Sequence, residues 1–360
     1  MAQAEIGAEQ RASRIPRASA AALLRRGRSL AWIALTLALT LLGLMAVTFV
    51  VGRVVPIDPV IAVVGERASQ AVYDAARIEM GLDDPVVVQF ARYVMDVLRG
   101  DLGMSVTTQR PVMEDLARVF PATLEMATLG ILIGVTLGVP MGVVAAARQG
   151  TLVDQVIRVL GLAGYAIPAF WIGLVGLVVF YASLGWVGGP GRIDFFLDGM
   201  VEPVTGLLLV DSLLAGDMES FGSAFSHIVL PATILGFFSL AYISRMTRSF
   251  MLEQLGQEYI VTARAKGAPE RVVVWRHAFK PIRVQLVTVV GLSYAALLEG
   301  SVMIETVFSW PGIGNYLTNA LLNADMNAVL GATLLIGVVF IAINKLSDLL
   351  YLIIDPRARS

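Results

Sequence analysis

The sequence predicts an all-α membrane protein with six transmembrane helices and a small external subdomain between helices 1 and 2. Three observations point there. Hydrophobic residues make up 57% of the 360 and charged ones only 15%, against about 25% charged in a soluble domain. Mean hydropathy is +0.75, so too little polar surface exists to cover a water-soluble globule. Six apolar stretches approach or exceed the roughly 20 residues that a helix needs to cross a hydrocarbon layer ~30 Å thick. Finally, basic residues cluster in alternate connecting segments, as the positive-inside rule requires.

The same composition excludes several functions. A net charge of -1 provides no field for nucleic acid. Cys is absent, which removes disulfides, thiolate metal ligands and cysteine nucleophiles. The two histidines, His227 and His277, lie fifty residues apart. That spacing fits no zinc motif, so neither a metal site nor a resident cofactor is expected.

In chain order, residues 1–28 are rich in Ala, Arg and Ser and read as a disordered tail. Residues 29–52 form the first transmembrane helix, centred on Leu30–Val51. A basic stretch before an apolar core also fits an export signal. A signal core runs only about 7–15 residues and no small-residue cleavage site precedes Arg53, which favours a retained anchor. Residues 53–118 read as an extracytoplasmic subdomain, with helices expected over Arg67–Met80 and Val86–Arg99, a turn at Gly100–Gly103 and another amphipathic helix from Pro111. Residues 119–355 form the membrane core, with spans over Thr123–Ala147, Val156–Leu184, Ile228–Phe250, Val284–Leu298 and Ala328–Ile354. Pro168 predicts a kink in the third span. Glu299 and Glu305 interrupt the far end of the fifth. An external insertion, 185–226, opens on Gly188-Gly189-Pro190-Gly191, and residues 356–360 are a short tail.

Loop charge sets the expected orientation. Six Arg precede the first span, and residues 245–283 hold eight basic against three acidic side chains. The 185–226 segment has one basic residue, Arg192, against six acidic ones, and 299–326 has no Lys or Arg. The subdomain's own charge counts for little, because long segments translocate regardless of it. Both termini and the 254–283 loop are therefore expected in the cytoplasm.

That loop carries the most information. Glu258 to Lys266 reads as a short helix with its acid at the start and its bases at the end, as the helix dipole favours. Gly267 ends it, and Pro269 restarts a helix on which Trp275 and Phe279 share one face. Two short helices about a glycine bend make a rigid knob, which can fit a partner's groove and transmit motion. Charge alone favours a plainer connector resting on anionic headgroups. The Ala263-Arg264-Ala265-Lys266-Gly267 arrangement after Glu258 favours the knob.

The Glu258–His277 stretch resembles the EAA loop of binding-protein-dependent ABC permeases, in the version of the dipeptide/oligopeptide/nickel branch. Other stretches are similar to that branch in the same order: Met80–Pro85, Leu98–Gly103 with Arg110–Val112, Phe120–Glu125, Ile167–Trp171 and Glu305–Gly314. The resemblance implies a type I ABC importer permease (MetI-like) fold in a bacterial or archaeal cytoplasmic membrane. It also implies a second homologous permease, two cytoplasmic ATPase subunits that use ATP and Mg, and an extracytoplasmic solute-binding protein. Glu258, Ala263 and Gly267 match the signature, and Arg264 and Lys266 lie with them on the expected ATPase-coupling surface. Tyr259 and Ile260 stand where the strict signature has Ala, a departure that the peptide branch tolerates. Cargo within the branch spans peptides, nickel chelates, glutathione, opines and oligosaccharides.

Charged or polar residues within spans mark a cavity or a partner. Glu299, Glu305 and Asn344 are the candidates for a translocation path, with Glu299 and Glu305 also read as partners for the amine of a peptide or as caps on the Pro311–Gly314 turn. Glu125 reads as interfacial, and Lys345 as snorkelling towards the cytoplasm. Pro311-Gly312-Ile313-Gly314 is no phosphate loop, since the chain lacks GxxxxGK[ST]. ATP hydrolysis is therefore expected on other polypeptides. A membrane-embedded enzyme would need convergent acid–base or metal ligands that the two histidines do not supply. A channel or a ligand-sensing scaffold is a third reading.

Overall fold

A computed structural model describes residues 17–54, 59–65 and 67–354. Helix α1 spans Arg17–Val54, α2 Pro59–Val64, α3 Gln70–Glu79, α4 Val86–Leu98 and α5 Val112–Ala147. Helix α6 covers Leu152–Ala166, and α7 covers Ala169–Gly176, continuing as a π-helical turn over Leu177–Ser183. Then come α8 (Leu208–Ala215), α9 (Met218–Leu255), α10 (Glu258–Ala265), α11 (Glu270–Val307, with a π turn at Val273–Ala278), α12 (Ile313–Leu322) and α13 (Met326–Ile354). Among the described residues the only β pairing is an isolated bridge between Met104 and Pro111. Five helices are long and apolar enough to cross a membrane, or six if α6 and α7 together count as one span.

Three elements differ from expectation. Helix starts at Arg17, so residues 17–28 extend the first span instead of forming a tail. Their Arg-Ala-Ser-Ala-Ala-Ala-Leu-Leu run is built from strong helix formers. Residues 1–16 and 356–360 lie outside the described residues, as do Pro56 and Asp58. The helix from Val112 does not stop before the second span but runs through Pro121 and Pro140 to Ala147. The third span is broken rather than kinked, since α6 and α7 meet at 100°. Ile167, forced out of the helical region by the proline after it, is extended (ψ 126°), and Pro168 is extended too (ψ 137°).

The core centres on α5 against α9. Gly130, Gly134, Gly138 and Gly142 recur every fourth residue and face α9. A Cβ added at Gly138 would lie 3.1 Å from the Leu240 carbonyl oxygen, and one at Gly142 only 2.5 Å from that of Ser244. The glycines thus let two backbones touch, which in lipid is what drives helix association. Met126, Ile131, Ile228, Leu235, Phe308 and Trp310 fill the space around this seam. Helix α1 lies against α13, where Leu44 packs on Gly337, and Thr48 hydrogen-bonds Tyr93 of α4 at 3.0 Å.

Candidate functional site

Helix α10 and the start of α11 form the bend read from the sequence. Gly267 sits at φ +80°, in the left-handed region that glycine enters without penalty. Its N–H donates to the Arg264 carbonyl (2.9 Å) and that of Ala268 to the Ala263 carbonyl (3.2 Å), closing the end of the helix. Pro269, extended at ψ 143°, precedes Glu270 and the next helix. Across the bend Arg264 grips Glu270 with two bonds, Nη2 to Oε1 at 2.6 Å and Nε to Oε2 at 3.1 Å. Ile260 is wholly buried among Val143, Met251, Val274 and Ile282, which pins the knob to the bundle. Glu258, Arg264, Lys266 and Gly267 are exposed, and Ala263 is half-buried against the same apolar cluster. Trp275 and Phe279 do share a face, with ring centroids 5.6 Å apart, yet Trp275 stays 42% exposed. The result is a short, stiff protrusion whose tip has open space around it.

The polar residues of the spans divide sharply. Glu305 is 0% exposed. Its Oε1 accepts from the hydroxyls of Thr123 (2.7 Å) and Ser301 (2.9 Å), and its Oε2 from the N–H groups of Gly314 (2.7 Å) and Asn315 (3.0 Å). The carboxylate therefore caps the N-terminus of α12, the last of its three readings. It is removed from any water-lined surface of this chain, so the path candidacy of Glu305 is corrected. A Cβ at Gly312 would lie 2.5 Å from the Glu305 Cδ, which explains glycine there.

Glu125 is also buried, paired with Arg192 at 2.6 Å and accepting the Leu209 N–H at 2.8 Å. It fastens the 185–226 insertion to α5 rather than lying free at the interface. Within that insertion Asp211 accepts from the N–H of Thr205 (2.8 Å) and of Gly206 (2.9 Å). Burial alone would raise its carboxyl, but these hydrogen bonds outweigh it and hold the group below the ordinary range. Asn344 is half-buried and donates to the Phe340 carbonyl of its own helix (3.0 Å), while exposed Lys345 pairs with Asp348 (3.2 Å). Glu299 is exposed and lines a cavity of about 330 Å³ between α1, α5, α11 and α13. Among the described residues no group of His, Asp or Glu is arranged to hold a metal.

The chain matches a known family over most of its length. Residues 138–360 match the binding-protein-dependent transport system inner membrane component, and residues 28–127 match the N-terminal region of such components. The chain belongs to this family. It is thus a multi-pass inner-membrane permease of a binding-protein-dependent transport system. Three relatives align over 89% of it. They are the probable D,D-dipeptide transport system permease DdpB of Escherichia coli K12 (41% identical, 94% of that protein), the di/tripeptide permease DppB of Pseudomonas aeruginosa (41%, 95%) and the dipeptide permease DppB of E. coli K12 (40%, 95%). An inward-facing structure of the MetNI methionine ABC transporter covers 68% of the chain and 97% of its own, at TM-score 0.49 and 18% identity.

Two features of this permease escaped the sequence reading. The Gly130–Gly142 stripe is visible as a four-residue period inside one span, and counting small residues at that spacing finds it. The other is the bidentate pair of Arg248 with Asp154, at 2.6 and 2.9 Å, which ties the start of α6 to α9. Ninety-four positions separate the two residues, and no local pattern signals that contact.

Proposed function

We propose that this chain is the pore-forming half of an ATP-driven importer of dipeptides or short peptides. It pairs with a second homologous permease, receives cargo from an external binding protein, and is driven by two cytoplasmic ATPases. One observation carries the reading: the stiff knob at Glu258–Glu270, whose exposed Glu258, Arg264, Lys266 and Gly267 stand ready for a groove on an ATPase. Rigid attachment through Ile260 lets force on the knob reach α9 and α11 together. Both termini then lie on the knob's side of the membrane, as loop charge favours. The names of the three relatives support peptides as the cargo. Glu299, exposed within a span, belongs to the path, and so does Asn344 on α13. The 53–118 subdomain and the 185–226 insertion face the binding protein's side.

The reading is tested by purifying the tagged chain from cells that express its neighbouring genes, then assaying liposomes for uptake. Two ATPases and a sister permease are expected to co-purify, with uptake that requires ATP. Solute flux through the chain alone, without ATP, would refute it.

A further inference from the structure

We infer that Glu299 is the counter-ion for a protonated amine supplied from outside this chain. The inference rests on the path reading above and names the chemistry of that path. Glu299 lies sixteen residues beyond Arg283 on one continuous helix, about 24 Å along its axis and so within the ~30 Å hydrocarbon layer. Carboxylates at such positions face water or a cation. Among the described residues, no hydrogen bond or ion pair reaches this one, whereas Glu125 and Glu305 are both fully engaged.

The surroundings favour an outside partner over lipid. Gln285, Thr288, Ala296, Glu299, Gly300 and Thr306 are all exposed on α11 at helical spacing, interleaved with the exposed apolar Leu292 (43%) and Met303 (60%). By contrast, the exposed face of α6 and α7 carries Leu152 (77%), Val159 (65%), Leu162 (68%) and Val178 (61%). Lipid covers the second face without loss, but on the mixed face of α11 the Gln, Thr and Glu side chains seek water or protein. Beside it, the cavity of about 330 Å³ has Glu299 as its one charged lining residue, with Thr123 and Thr333 hydroxyls and otherwise apolar walls. Thr123 is already committed to Glu305. What remains is a single carboxylate at an apolar pocket, which suits an ammonium on a compact apolar body. Such a group is found at the amino end of a peptide, and equally on a cationic side chain of the second permease.

The complete transporter in liposomes distinguishes these sources. Glu299→Gln is expected to lower ATP-dependent dialanine uptake about ten- to hundredfold, the loss of one charged contact. If second-permease retention and basal ATP hydrolysis hold, the amine is the solute's. If retention falls by a similar factor, the amine is the partner's. Because the chain has no Cys, Glu299→Cys introduces its sole thiol. A sulfonate-bearing thiol reagent should restore the lost function and a trimethylammonium one should not. Uptake and retention both within twofold of wild type, or equal restoration by both reagents, would overturn the inference. Should the wild-type complex take up no dialanine, the peptide reading fails instead. Reactivity of the thiol then decides Glu299: modification by the water-soluble reagents upholds it, and a thiol that neither reaches overturns it.

Discussion

Replacing Glu305 separates a structural carboxylate from a solute ligand. Four donors converge on it, all within 3.0 Å. Leucine would leave the N–H groups of Gly314 and Asn315 facing apolar surface, at about 1–3 kcal/mol each. The hydroxyls suffer less: Ser301 already shares its proton with the Leu298 carbonyl at 3.0 Å. Allowing for relief of the carboxylate's own desolvation, Glu305→Leu should cost about 3–5 kcal/mol. Glutamine is different. Its carbonyl oxygen can serve the two N–H groups while its amide faces the two hydroxyls, which turn to accept. Thr123 already accepts the Ile313 N–H at 2.8 Å, so one proton there loses its place. Glu305→Gln should therefore cost only about 1 kcal/mol. At roughly 2 °C per kcal/mol for a chain of this size or smaller, the midpoint of thermal aggregation in detergent should fall by about 6–10 °C for leucine and about 2 °C for glutamine. Uptake by surviving Glu305→Gln protein should match wild type. Glutamine as damaging as leucine, or a stable glutamine variant that has lost uptake, would refute the capping argument and return Glu305 to the path.

Other substitutions test the knob, the glycine seam and the insertion. Gly267→Val forces a branched side chain into the left-handed region, at about 1–2 kcal/mol or more. The complex should assemble but lose solute-stimulated ATP hydrolysis, while Gly267→Asn, which tolerates that conformation, should retain most of it. Arg264→Glu should weaken the same coupling, and the swap Arg264→Glu with Glu270→Arg should recover it if Arg264 acts by bracing the bend; no recovery would mean that it contacts the ATPase directly. In the seam, Gly142→Ala meets the Ser244 carbonyl and the Thr247 Cβ, both at 2.5 Å, whereas Gly134→Ala meets the Ser239 hydroxyl, which can turn away, and the Ser239 Cβ at a less severe 2.8 Å. Thermal midpoints should accordingly rank wild type, Gly134→Ala, then Gly142→Ala. Asp211 is held below its ordinary value, so its stabilisation is complete above about pH 4 and is lost as pH falls through its lower folded value. Proteolysis of 185–226 should accelerate there, and Asp211→Asn should show the faster cleavage already at neutral pH.

What the sequence disclosed and what it hid follow from the range of each interaction. Hydropathy over about twenty residues pointed to the five membrane-length helices and to the broken α6–α7 pair, because lipid acts on each segment independently. The Pro168 break and the Gly267 bend were legible because proline and glycine restrict or free their own backbone. The size of the break was not, since 100° depends on where α6 and α7 find room against α9 and α11. The carboxylates were the hardest to sort. In sequence, Glu125, Glu299 and Glu305 look alike, three acids at the outer ends of apolar runs. Their fates diverge through partners 67 and 182 positions away in the first and last cases, Arg192 and Thr123. Only folding says which acid has its donors supplied. Two of the three are closed by this chain's own groups and so hold it together. The third is left open, and an unpaired carboxylate on a partly polar helix face is where a transported cation or a second subunit has something to bind.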